Sequence, residues 1–136
     1  IFHHFVFVNE LISQRLQTMG INHARIYGKT KDPISELRKF KSEPLCRALV
    51  INSRSGSSSL NLQNAQYLLF FEQPDSPIDR TQGERRVWRP GQKSKVLIYD
   101  FLMKGTMDQR LDAANKTGAN LLKELLRENG TSNNTR

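Results

Sequence analysis

The chain has a single cysteine, Cys46, in 136 residues, which excludes an internal disulfide and any multi-cysteine metal site. It points only weakly to a reducing compartment, and its place beside an apolar run reads as a buried, inert thiol. No Gly-x-x-x-x-Gly-Lys-Ser/Thr occurs, so a nucleoside triphosphate cannot be bound through a P-loop of this chain. No apolar run approaches the roughly 18 residues of a membrane span, and no Lys-rich amphipathic helix stands out that would lie on a membrane. Residues 1–8 lack a basic leader and a small-residue cleavage site, so no signal peptide is expected. The chain opens on Ile1-Phe2 inside a strand-like run, as an excised piece of a longer protein would. Acidic residues are the scarcer charge, 13 against 21 Lys and Arg, giving a net charge of +8. That balance calls for a polyanionic partner, and nucleic acid is favoured over an anionic membrane surface.

Catalytic pairs are also scarce. Glu72 and Asp75 are close in sequence, but no activated nucleophile or histidine accompanies them. His3 and His4 are adjacent on an expected strand, so they point to opposite faces and cannot share an ion. One should face a helix and the other an edge or end. No metal site is expected.

What is present is an alternation of strand-like runs and helical periodicity over most of the length, the pattern of a parallel sheet flanked by helices on both faces. One domain of this size can bury a real core. Residues 2–7 read as the first strand, and Val8, Ile12, Leu16 and Met19 mark a helix face that stops at Gly20. Residues 24–27 form a second strand. Asp32-Pro33 then supplies an N-cap and first helical residue for a short helix with Ile34, Leu37 and Phe40 on its buried side. Residues 47–51, 67–71 and 96–102 are nearly unbroken apolar strands, as strands covered on both faces should be. Thr106 and Gln109 form a capping box for a last helix, whose face runs Met107, Leu111, Ala114, Gly118, Leu121 and Leu125. The α/β domain spans residues 1–128, and residues 129–136 have nothing to bury and read as a disordered tail or linker.

Gln82, Arg86 and Arg89 stand at i, i+4 and i+7 before Pro90-Gly91-Gln92. On a helix this spacing stacks all three on one face, and the Pro-Gly pair ends the helix just past the second arginine. Guanidinium forks match phosphate oxygens in a bidentate way, so this face suits a polyanion or its transition state. The other reading of the same spacing is a solvated basic face. Ligands of open parallel sheets sit beyond the carboxyl ends of the strands. The loops around Gly28-Lys29-Thr30, residues 52–61 and residues 73–77 all fall there, immediately before the arginine helix. The Ser-rich loop could let backbone amides and Asn61 approach a phosphate, or could be a flexible connection. Trp88 could stack on a base, or pack under the following loop.

Residues 49–92 resemble motifs V and VI of the second RecA-like lobe of Swi/Snf-type superfamily 2 ATPases, the helicase-related motors that translocate on duplex DNA. Ser53-Arg54-Ser55-Gly56 and Leu60-Asn61-Leu62 are similar to the family's Thr-Arg-Ala-Gly-Gly-x-Gly-x-Asn-Leu pattern. Gln82-x-x-x-Arg86-x-x-Arg89-x-Gly91-Gln92 matches its long Gln-x-x-x-Arg-x-x-Arg-x-Gly-Gln signature. Residues 2–5 with the following helix resemble motif IV, and residues 27–30 the Gly-Ser-Thr segment.

The resemblance implies a RecA-like helicase C-terminal lobe of a DNA-dependent ATPase. Arg86 and Arg89 would be the catalytic arginines that reach across a cleft to the triphosphate. Gln82, Gly56 and Asn61 would contact ATP. Lys29, Thr30, Ser53 and Arg54 would touch the backbone of DNA, expected to be duplex. ATP and Mg²⁺ would be held mainly by an N-terminal lobe of the same protein, so the isolated chain is expected to be inactive. Ser57 and Ser59 stand where glycines are usual, Arg85 where chromatin remodellers commonly have aspartate, and Pro90 where isoleucine is common. A bacterial or phage-type protein, cytoplasmic and DNA-associated, is therefore expected. Two readings of other classes stand beside it: a basic α/β nucleic-acid-binding module with no nucleotide role, and a flavodoxin-like domain for a small phosphorylated ligand.

Overall fold

The computed structural model describes residues 1–55, 60–90 and 94–118. Leu121, Leu125 and residues 129–136 lie outside the described residues. The elements run β1 (Phe2–His3), α1 (Val6–Thr18), β2 (His23–Ile26), α2 (Pro33–Ser42), β3 (Ala48–Asn52), β4 (Tyr67–Phe70), α3 (Pro77–Val87), β5 (Leu97–Asp100) and α4 (Met107–Thr117). The strands form one parallel sheet in the order β2-β3-β1-β4-β5, with Phe2 paired to Ile51 on one side and to Phe70 on the other.

Alternation along β3 sorts the helices between two faces. Val50 points to one, where Val8 and Ile12 of α1 pack on it. Leu49 and Ile51 point to the other, with Phe2, Leu68, Phe70, Val87 of α3, and Leu37 and Phe40 of α2. Cys46 belongs to this second cluster, and burial raises its thiol pKa. The α/β architecture expected from the alternating pattern is thus the one observed.

Local chemistry accounts for most boundaries. The Asp32 carboxylate accepts from the N–H groups of Ile34 and Ser35 at 3.1 and 3.0 Å, with Pro33 as first helical residue. Gly20, at φ +69°, takes the left-handed conformation that follows α1. Thr106 accepts from Asp108 N–H, while the Gln109 side chain accepts from Gly105 N–H at 2.8 Å, one residue ahead of the cap that an ideal box would reach. Gly118 is not a position on a continuing helix face: at φ +70° it is the C-cap of α4. Gly83 packs closely on β4, since a Cβ there would lie 3.1 Å from two ring carbons of Phe70 and the ring would have to shift by a few tenths of an ångström.

The first strand is much shorter than residues 2–7. It ends at His3, and α1 already begins at Val6. The cause is tertiary: the Glu72 carboxylate, from beyond β4, accepts from the N–H groups of His4 at 2.8 Å and Phe5 at 3.1 Å. A carboxylate there satisfies donors and favours the positive end of the helix dipole, so it outweighs the β propensity of Phe-Val-Phe. Phe5 and Phe7 are left exposed and stacked on each other, ring centroids 6.0 Å apart.

His3 is buried between the sheet and α1. Its Nδ1 is 3.0 Å from the Phe5 carbonyl and its Nε2 is 2.8 Å from Asn9 Nδ2. The carbonyl requires a proton on Nδ1, and Nε2 then accepts from the Asn9 amide, whose Oδ1 accepts from Arg25 Nε at 2.8 Å. This chain has no place for a second imidazole proton, and burial lowers the pKa of His3 to about 4. A depressed pKa means that the unfolded chain binds the proton first. Stability is therefore full above pH 6.5 and falls as pH drops toward 4, by roughly 3 kcal/mol for one such group. Urea unfolding across that pH range should show the loss, and a His3→Gln variant should flatten this part of the profile.

Candidate functional site

β1 lies at the centre of the sheet, between strands that follow it on either side, so its carboxyl end is a crevice of the kind in which α/β sheets bind ligands. The ends of β1, β3 and β4 and one side of α3 enclose a polar cavity of about 270 Å³ there. His4, Ser53, Arg54, Asp75, Gln82 and Arg86 line it. A larger cavity, about 410 Å³, lies against apolar residues such as Phe40, Cys46 and Leu49, with Arg47 its one charged lining residue. Convergent charge and position in the crevice identify the smaller one as the candidate site.

Arg86 is only 6% exposed, and its guanidinium carbon lies 5.6 Å from the centre of the Phe2 ring. Burial lowers its pKa and the charge of Asp79 opposes that effect. Its backbone carbonyl accepts from Leu62 N–H at 2.8 Å, tying the segment behind β3 to the end of α3.

Arg89 is not on the helix with Gln82 and Arg86. α3 ends at Val87, and Trp88 is already extended at φ −99°, ψ 122°. Pro90 bars the residue before it from helical geometry, so the third member of the i, i+4, i+7 stack is lost. It nevertheless returns to its partners: Arg89 Nε donates to the Arg85 carbonyl at 3.3 Å, and Gln82, Arg85, Arg86 and Arg89 border a second cavity of about 140 Å³. Gln82 and Arg86 line both spaces. Trp88 is 56% exposed.

Lys29 is exposed, in the turn that follows β2. The Thr30 hydroxyl accepts from Tyr27 N–H at 2.9 Å and donates to the Arg25 carbonyl at 3.2 Å, so it closes that turn. A Cβ on Gly28 would lie 4.0 Å from Ser55 Oγ, which brings this turn against the loop holding Ser53 and Arg54. Asn61 is elsewhere: it bonds Gln63 and borders a separate cleft with Lys41 and Asn64. Gly56, Ser57, Ser59, Gly91 and Gln92 lie outside the described residues.

Three residues at the site had been given no role in it from the sequence. Asp75 does have a histidine partner, since its Oδ2 is 3.2 Å from His4 Nε2 and 3.3 Å from an Arg54 terminal nitrogen. Asn52 accepts from Arg54 N–H at 3.0 Å and donates to the His4 carbonyl at 2.6 Å, fastening β3 to β1 at the mouth. An asparagine closing a strand is the local signal of such an Asx turn. Nothing local joins His4 to residue 75, 71 positions further along the chain.

Residues 1–91 match the helicase conserved C-terminal domain family. The fold is similar to that in the crystal structure of the C-terminal part of the Fun30 ATPase domain, with a TM-score of 0.75 over 82% of this chain and 36% of that one, at 24% identity. Among curated proteins the chain is 35% identical over 89 residues to Protein CHROMATIN REMODELING 25 of Arabidopsis thaliana, 65% of this chain and 10% of that protein. It is 32% identical over 95 residues to the DNA repair and recombination protein RAD54-like of Drosophila ananassae, 69% of this chain and 11% of that protein. The chain thus spans about a tenth of the length of these relatives. They are eukaryotic, and the bacterial or phage origin expected from Ser57, Ser59, Arg85 and Pro90 is not supported, because four single departures weigh less than similarity over some 90 residues. No helix among the described residues is long and apolar enough to cross a membrane. The chain belongs to the helicase conserved C-terminal domain family, in its Swi/Snf-type superfamily 2 branch.

Proposed function

We propose that the chain is the second motor lobe of a DNA-dependent, ATP-driven translocase. Arg86 and Arg89 are its arginine fingers, Gln82 links them to the nucleotide, and Lys29, Thr30, Ser53 and Arg54 contact the backbone of duplex DNA. The observation that carries this reading is the polar cavity at the switch point of the sheet, which joins Arg54 on one side to Gln82 and Arg86 on the other. Names of relatives that specify DNA repair, recombination and chromatin remodelling, and of an ATPase domain with this fold, support it.

The donor set fits phosphate oxygens, which guanidinium forks bind well. It offers little to Mg²⁺, since Asp75 is engaged by His4 and Arg54, and Asp79 accepts from Ser76 Oγ at 2.9 Å. Mg²⁺ and most of ATP therefore belong to an N-terminal lobe, and this chain alone is inactive. Bound ATP supplies the phosphoryl group that passes to water. The lobe's own part is to bring two planar cations to a site from which closure excludes water, and to move its DNA-touching turns as it closes. Gly56 and Asn61 would also contact the nucleotide, Asn61 from outside this cavity. A module that bound nucleic acid by charge alone would keep its arginines solvated; burying Arg86 against Phe2 argues for a positioned cation instead.

The DNA half of this reading is tested in the full-length protein with Lys29→Gln and Arg54→Gln together. Each lost phosphate contact should lower the slope of log affinity against log salt by about 1, so the pair should lower it by about 2 on any duplex sequence. An unchanged slope would remove these turns from the DNA.

A further inference from the structure

We propose that Asp75 is a built-in competitor for the DNA backbone: in the DNA-free lobe its carboxylate holds Arg54, and DNA binds by taking Arg54 from it. The proposal rests on the reading of Arg54 as a backbone contact. One oxygen of Asp75 receives both Arg54, at 3.3 Å, and His4, at 3.2 Å. The two partners differ in freedom. His4 is a fixed anchor, its side chain 13% exposed, its N–H held by Glu72 and its carbonyl by Asn52. The Arg54 side chain is 73% exposed, on a stem long enough to swing away. Asp75 itself follows Pro74, whose carbonyl accepts from Asn115 of α4 at 2.9 Å, so its position does not depend on Arg54.

A phosphodiester oxygen is the same kind of acceptor as a carboxylate oxygen, and the Arg54 fork cannot satisfy both in full. An ion pair this exposed is weak enough for DNA to displace, yet every binding event must first break it. Asp75 therefore sets the affinity of the loop without touching DNA, a positioning residue that acts through Arg54.

The test is a double-mutant cycle in the full-length protein, read by fluorescence anisotropy of a labelled mixed-sequence duplex at low salt. Asp75→Asn keeps size and can still bond His4 while losing its charge. It should raise affinity about twofold to fivefold with Arg54 present, the range of an exposed ion pair, and leave it unchanged in an Arg54→Gln background. Asp79→Asn removes the same charge from the wall of the same cavity, without a contact to Arg54. It should act equally in both backgrounds, which measures the general effect of the cavity's charge. An Asp75→Asn gain that is equal in both backgrounds, or no gain at all, overturns the competitor role. If instead Arg54→Gln alone leaves affinity unaltered, the DNA-contact reading itself falls.

Discussion

Replacing Arg89 by alanine in the full-length protein should lower the DNA-stimulated kcat for ATP by about 10³- to 10⁵-fold, the range over which an arginine finger acts on phosphoryl transfer. Binding of ATP and DNA should change little, because charge that develops only in the transition state is what the guanidinium meets. Arg89→Lys should rescue poorly, since an ammonium keeps the charge and loses the planar fork. Arg86→Ala should behave similarly in rate but also unsettle the packing over Phe2. Arg85 is the control within the same cavity. Its contribution to Arg89 is the backbone carbonyl, which alanine retains, so Arg85→Ala should be mild. Steady-state ATPase assays with filter-binding measurements of DNA would decide the matter: a series in which Arg85 matters as much as Arg89, or in which all three only weaken DNA binding, returns this region to a solvated basic surface.

Breaking the pair between Arg80 and Asp100 should cost about 3 kcal/mol of stability, a large share of what a domain of this size possesses. Arg80 joins α3 to β5 with both terminal nitrogens on the Asp100 carboxylate, and its Nε donates to Glu84 at 2.6 Å. Gln73 donates to the same carboxylate at 3.1 Å, and the guanidinium lies 4.1 Å over the Phe70 ring. Burial alone would raise the pKa of Asp100, but the hydrogen bonds from Arg80 and Gln73 outweigh it and hold the carboxyl below its ordinary range. Asp100→Ala leaves a largely desolvated guanidinium without its main partner, whereas Arg80→Met combined with Asp100→Leu removes both charges and should recover most of the loss. Urea unfolding of the three proteins would measure this. Equal loss in the single and double variants would mean that shape, not charge, holds α3 to β5.

Much of this architecture was legible because its determinants are local. Asp32-Pro33 and Thr106 sit where a side chain can accept from amides two or three residues on, so those two helix starts follow from spacing alone. The apolar run of β3 marked a buried strand and the alternation of strand and helix marked the parallel sheet, but residues 96–102 are not covered on both faces: β5 is the edge strand, with Ile98 and Tyr99 exposed. The errors have the opposite character. A strand through residue 7 was the right reading of Phe-Val-Phe by propensity, and a carboxylate from beyond β4 overruled it. Helical spacing of Arg89 was sound arithmetic for a helix that ends at Val87.

The same division runs through the site. The sequence by itself determined the residue types, their order and their family pattern, because a motif such as Gln82, Arg86 and Arg89 is a property of the chain. Tertiary structure decided which of them share a space. It put Arg54 beside Gln82 and Arg86, left Asn61 in another cleft, and brought Arg89 back to the Arg85 carbonyl by a turn instead of a helix. It also introduced Asp75, which sequence reasoning had set aside for want of a histidine, and His4, which it had set aside only as a metal ligand. The physical reason is that caps and periodicities act over a few residues, whereas the ends of β1, β3 and β4 meet only once the parallel sheet has closed, and no short-range signal encodes a contact across it.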